Sequence, residues 1–179
     1  MIEYPWYCAV DVEEPLEQGD FIDACPVLVP LADINDVKIK ADVIEYDVII
    51  LSQSCDLYNK KIDLVLVCPY YSLVEAETKY TFLKSAKMRN ALRKGHIVAH
   101  HLLNECIIDG FQKGYIVVDF RDVYGIPYEF LIGLSKKHKK RLRLLPPYKE
   151  HLSQAFARFF MRVGLPIDIP EFKSKKSSS

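Results

Sequence analysis

The stretch that most constrains the fold is YDVIILS, residues 46–52, an uninterrupted apolar run followed after a short polar gap by a second, KIDLVLVCPYYS over 61–72. A strand with one wet face alternates apolar and polar side chains, whereas a run without alternation needs both faces covered. Both segments are rich in β-branched and aromatic residues. They predict two central strands joined by a loop of about nine residues. Central strands need flanking strands and covering elements, and 179 residues suffice for one such core.

Around these runs, QGDFIDACPVLVPL (18–31) predicts a turn at Gly19-Asp20 and then a strand, with Pro26 and Pro30 confining part of it to an edge or a bend. VKIKADVIE (37–45) alternates and fits a half-buried strand. In FLKSAKMRNALRKG (82–95) the β signal disappears, and Phe82, Leu83, Ala86, Met88, Ala91 and Leu92 lie roughly along one helical face that stops at Gly95. GYIVVDF (114–120) and YEFLIGL (128–134) predict a strand pair turned by RDVYGIP. The clearest helix is 148–163, where Leu152, Ala155, Phe156, Phe159, Phe160 and Val163 form one stripe between Pro146-Pro147 and Gly164. Together these elements predict an α+β fold: a mostly antiparallel curved sheet or small SH3-like barrel with a C-terminal amphipathic helix. They predict a single globular β-rich domain over 1–167 and a disordered polar tail over 168–179.

Half the residues are hydrophobic, which excludes a disordered chain. Lys and Arg number 24, as do Asp and Glu, so affinity for nucleic acid or membrane has to come from a local patch. No segment approaches the length of an apolar membrane span, and the start lacks the pattern of a secretory signal, so a cytoplasmic location is expected. Five cysteines without CxxC pairs predict reduced, mostly buried thiols in place of a disulfide framework or zinc ribbon. No nucleotide-binding or hydrolase motif is present, and no cofactor is expected.

The polar gap between the two central strands, SQSCDLYNK, sets Cys55 beside Asp56 where a strand should end. One reading makes Cys55 a nucleophile or metal ligand, with Asp56 and an imidazole from His96, His100 or His101 brought near in space. His96 and His100 are four apart and would share a face of either a helix or a strand. The other reading makes the stretch a turn, in which Ser54, Asp56 and Asn59 bond to nearby backbone and Cys55 packs as a small apolar group.

A second local feature is KKHKKRLR, in which Lys136, Lys137, Lys139, Lys140, Arg141 and Arg143 surround His138. Such a run attracts phosphate backbones without reading base sequence, and it also suits a solvated loop before the last helix. It carries no interleaved aromatic for stacking.

Over residues 18–72 the order QGDF, an apolar strand ending in Leu-Ser, a loop, and a strand ending in Cys-Pro resembles the MazF/PemK-like toxins, small SH3-like barrels that cleave single-stranded RNA. That resemblance implies the barrel alternative and a bacterial stress, toxin–antitoxin or antiviral defence setting. The family's catalytic arginine is unmatched, since Tyr46 or Asp47 stands there, and only Ser72 could supply the hydroxyl. An acidic side chain would repel the phosphate that an arginine holds. The expected function is therefore a non-catalytic module that binds protein or nucleic acid, the partner being met by the basic 136–143 segment or by the Cys55 loop. A hydrolase or nuclease using Cys55, Asp56 and a histidine is the alternative.

Overall fold

The computed structural model describes residues 4–31, 41–137 and 139–161. In chain order these form β1 (Tyr7–Asp11), β2 (Phe21–Pro30), β3 (Ala41–Ile50), α1 (Ser54–Tyr58), β4 (Leu64–Ser72), α2 (Leu73–Lys79) and a 3-10 turn (Thr81–Lys84). Then follow α3 (Ala86–Arg93), β5 (His100–Leu103), β6 (Ile116–Asp119), β7 (Tyr124–Pro127), α4 (Tyr128–Ser135), β8 (Lys140–Leu144) and α5 (Tyr148–Phe160).

The two apolar runs lie side by side at the centre, with Ile50 opposite Val67, Ile49 opposite Cys68 and Val48 opposite Pro69. The other edge of β4 is shared, β7 pairing with its first half and β6 with its second. The sheet runs β2-β3-β4-β6-β5, and every pairing is antiparallel. Both faces are covered only at the end of β3, over Val48, Ile49 and Ile50, which is why that stretch reads without alternation; the expected half-buried strand over 37–45 is instead exposed across 41–45, and 37–40 lie outside the described residues. Ile49 packs into a core with Phe21, Phe120, Leu144 and Leu152, while Val48 and Ile50 pack with Leu57, Val65 and Leu131 on the opposite side. A smaller third core under α2 and α3 holds Ala76, Leu83, Leu92 and Val117.

The fold is α+β with a mostly antiparallel sheet and the expected C-terminal helix, but the sheet does not close into a barrel. At one end, β2 carries Pro26 and Pro30, which lack N–H donors, and a bulge between Ile22 and Cys25 with Ala24 at φ +50°. β1 and β8 instead pair with each other as a separate ribbon, Tyr7 opposite Leu144 and Asp11 opposite Lys140.

Three local expectations are corrected. Residues 128–134 are helical: Leu131, Leu134 and Ser135 turn one buried face of α4 to the core, and the strand lies upstream in YGIP, expected to be the turn. A short apolar run suits either element, and here the spacing of three and four decides it. The helix expected over 82–94 is broken into the 3-10 turn and α3, and α2 precedes them. A capping box starts α2: the Ser72 hydroxyl accepts the Glu75 N–H at 3.2 Å and Glu75 accepts the Ser72 N–H at 2.8 Å. The basic run, expected as a loop, enters β8 at Lys140.

Helix α5 buries Leu152 completely and sets Phe156 and Phe159 against Phe120, at ring-centroid distances of 5.4 and 6.3 Å. Phe160, expected on the same stripe, is 62% exposed, and Val163 and the 168–179 tail lie outside the described residues. We expect Leu152→Ala to cost about 3 kcal/mol in urea unfolding and Phe160→Ala less than about 0.5 kcal/mol. Equal losses for the two would mean that the helix docks in a different rotation.

Candidate functional site

Cys55 lies on the single helical turn α1, which bridges the two central strands. Its neighbours bond to backbone. The Ser52 hydroxyl accepts the Leu66 N–H at 2.9 Å, the Ser54 hydroxyl accepts the Gln18 N–H at 3.1 Å, and the Asn59 amide donates to the Cys55 carbonyl at 2.6 Å. Leu57 pins the turn into the core with Val48 and Val65. The Cys55 side chain itself is exposed, and its Sγ lies 3.9 Å from Asp56 Oδ1. Of the other thiols, Cys25, Cys68 and Cys106 are buried and Cys8 is half-buried; all five are free. Burial pushes the Cys25 thiol up to about 11 and Cys68 higher still.

The three histidines are elsewhere. Helix α3 ends at Arg93, and Gly95 adopts φ +70°, so exposed His96 sits in a loop and shares no element with His100. His100 and His101 open β5 and, being adjacent in a strand, point to opposite faces. Among the described residues, no hydrogen bond or ring contact joins any of them to Cys55, which belongs with the β2-β3-β4 side of the sheet while β5 is its far strand. Nor do any three His, Cys, Asp or Glu side chains among these residues converge to hold a metal ion.

His100 is instead part of a group that the sequence pattern does not reveal. Its ring lies 4.9 Å from Tyr80 and 5.9 Å from Phe82, and Nε2 is 3.7 Å from Asp119 Oδ1 across the β5–β6 ladder. Asp119 is fully buried. It accepts the Tyr80 hydroxyl at 2.5 Å, Arg121 Nε at 3.0 Å, Arg121 Nη2 at 2.9 Å and the Arg121 N–H at 3.1 Å. Burial pushes the Asp119 carboxyl up. The hydrogen bonds from Arg121 and Tyr80, with His100 nearby, outweigh burial and hold it below its usual value. A carboxylate so fully bonded orients its neighbours and has little capacity left as a base. Nothing in VVDFRD beyond an Asp two residues before an Arg at a strand end signals this arrangement.

His101 lies over Phe120, 6.3 Å between centroids, and burial together with the nearby His151 and Arg158 lowers it to about 4.

The basic run is divided by the fold. Arg141 and Arg143 are buried in β8, 4% and 7% exposed, and both bond to the buried carboxylate of Asp20. Lys136, Lys137, Lys139 and Lys140 remain exposed. Lys139 and Lys140 border a cleft of about 360 Å³ with Lys113, Asp23 and the half-buried ring of Phe111. Carboxylates temper the rim: Asp23 lies 3.7 Å from Lys113 and Asp11 lies 3.9 Å from Lys140. Among the described residues, no helix is long and apolar enough to cross a membrane.

No protein-family model matches the chain, and no curated protein matches it.

Buried His100 and half-buried His101 set a pH dependence. Burial lowers His100 and His101 below 6.5, so between that value and about 4 for His101 the unfolded chain binds protons that the folded chain refuses. Stability therefore falls as pH drops through that window. Asp119 acts in the same direction further down: its contribution is present above the unfolded value near 3.8 and is lost as pH falls through its lowered folded value. We expect His101→Gln to flatten the stability–pH slope between about pH 6 and about pH 4 in denaturant titrations. An unchanged slope would mean that His101 titrates freely.

Proposed function

We propose that the chain is a cytoplasmic, non-catalytic interaction module that binds single-stranded nucleic acid in the cleft bordered by Lys113, Lys139 and Lys140, with Lys136 and Lys137 extending the positive rim. The observation that carries the reading is the half-buried Phe111 ring in a lysine-edged cleft. The basic run alone lacks an aromatic, and the fold supplies one from a different segment. Lysines attract phosphates by releasing counterions, and a ring face accepts any base, a combination suited to single strands.

The resemblance of residues 18–72 to MazF/PemK-like toxins favours RNA and a stress or defence setting. The positions where that family keeps its catalytic groups have structural duties in this chain. Tyr46 stacks on Tyr124 at 5.7 Å, Asp47 accepts the N–H of bulged Ala24 at 2.9 Å, and the Ser72 hydroxyl caps α2. Those duties support binding without cleavage.

The test is retention and cleavage of single-stranded RNA, single-stranded DNA and duplex DNA across a salt series. Replacing Lys136, Lys137, Lys139 and Lys140 with Ser should weaken binding for all sequences alike and flatten the salt slope by about 0.7 for each phosphate no longer neutralised. Phe111→Ala should cost single strands about 1–3 kcal/mol and leave duplex unaffected. Unchanged affinity in both variants would remove the cleft from the account. RNA cleavage abolished by Cys55→Ala would favour the hydrolase instead.

A further inference from the structure

A second cleft, of about 350 Å³, opens where the end of α3, β5 and α5 meet. Its lining is charged in one sense only. Arg93 and Lys94 come from the end of α3, His100 and His101 from β5, and His151 and Arg158 from α5. Among the described residues no Asp or Glu lines it. Like charges gathered in this way repel one another, and the lowered His101, pressed by burial, His151 and Arg158, registers that repulsion. The end of α3 contributes carbonyls that would ordinarily oppose an anion, but those of Asn90, Ala91 and Leu92 already accept the N–H groups of Lys94, His96 and Gly95.

The neighbouring histidine of the strand, His100, turns its ring away from the cleft, toward Tyr80 and Asp119. His100 is 4% exposed, and neither of its ring nitrogens has a hydrogen-bond partner. A buried imidazole normally satisfies at least its N–H. Asp119, its nearest carboxylate at 3.7 Å, has its oxygens taken by Tyr80 and Arg121.

We infer that this cleft binds a phosphate group, gripped at the rim by Arg93, Lys94 and Arg158 and met by the imidazoles of His101 and His151. Guanidinium groups match the oxygens of phosphate in paired hydrogen bonds, and an imidazole N–H supplies a further donor. The apolar wall of Ile97, Val98 and Leu102 leaves room for the organic part of a small phosphomonoester. The site is on a different part of the surface from the Lys139–Lys140 cleft and does not depend on the nucleic-acid reading.

Binding is linked to protons. An anion favours the protonated imidazole of His101, so affinity rises as pH falls toward its lowered range near 4. The groups that face His101 are His151 and Arg158.

The experiment is calorimetry with inorganic phosphate, a nucleoside 5′-monophosphate and sulfate, with the His101 ring resonances followed by NMR. Saturable one-to-one binding is expected, weakened about tenfold or more in the double variant Arg93→Gln/Arg158→Gln, whose exposed side chains can be changed without unfolding the chain. Sulfate, which does not titrate here, should bind more tightly at about pH 5 than at about pH 7, as protonation of His101 is approached. The Ser replacements of Lys136, Lys137, Lys139 and Lys140 should leave all three ligands unaffected. Tighter binding of the monophosphate than of phosphate supports the site and assigns it to an ester; equal binding supports it and assigns free phosphate. No saturable binding, or full affinity in the folded double variant, overturns the inference.

Discussion

The carboxylate of Asp20 is fully buried, and the attachment of the β1–β8 ribbon to the main sheet depends on it. Arg141 Nε donates to Oδ2 at 2.7 Å, while Arg143 donates Nε to Oδ1 at 2.5 Å and Nη2 to Oδ2 at 3.0 Å. The remaining guanidinium donors reach the carbonyls of Asp11, Glu14 and Pro15 and the carboxylate of Glu17, so few charged hydrogen bonds are left unmade. Burial would lower Arg143, but Asp20 and Glu17 together raise it. Such a group tolerates desolvation only while both signs are present. Gly19, at φ +86°, lets the chain turn into this position. A Cβ there would meet Leu144 Cβ at 3.0 Å, and the Gly19 N–H and carbonyl bond to Ile50 and Leu144 at 2.9 Å each.

This ionic joint governs the surface as well as the core. It withdraws two arginines from a run of positive residues and leaves the lysines facing solvent beside Phe111. The division follows the chemistry of the two side chains. The planar guanidinium can satisfy several fixed acceptors at once, which suits burial, whereas the hydrated ammonium on a flexible stem suits a wet rim. At the far strand the same separation recurs, with Arg121 committed to Asp119 and Arg93 and Arg158 left exposed at a cleft.

What could be read in the sequence follows from whether a signal is local. The apolar runs declare themselves because residues 48–50 of β3 and 67–70 of β4 are covered on both faces, and the stripe of α5 because its period is helical. YEFLIGL does not, since a strand and a short buried helix can share its composition; the competing local cue, Pro127 ahead of it, fits the entry to a helix as well as a turn. The Ser72–Glu75 capping box is local too, but the stronger strand pattern that runs into it masks the helix start. The pairing of Asp20 with Arg141 and Arg143 spans more than a hundred residues, so a basic run looks uniform until the fold divides it. Distance in the fold likewise separates Cys55 from the histidines that its sequence setting suggests as partners. Their spacing fits either a helix or a strand, and α3 ends before His96 while β5 begins at His100.

The most direct test of this account is the unfolding free energy of Asp20→Asn, which keeps the shape of the side chain and removes its charge. Two buried guanidinium groups would then lose the charge that offsets their desolvation, and the account predicts a loss of about 3–5 kcal/mol in equilibrium denaturation at neutral pH. A variant as stable as the parent protein would contradict it, and would mean that the ribbon is held to the sheet by apolar packing alone.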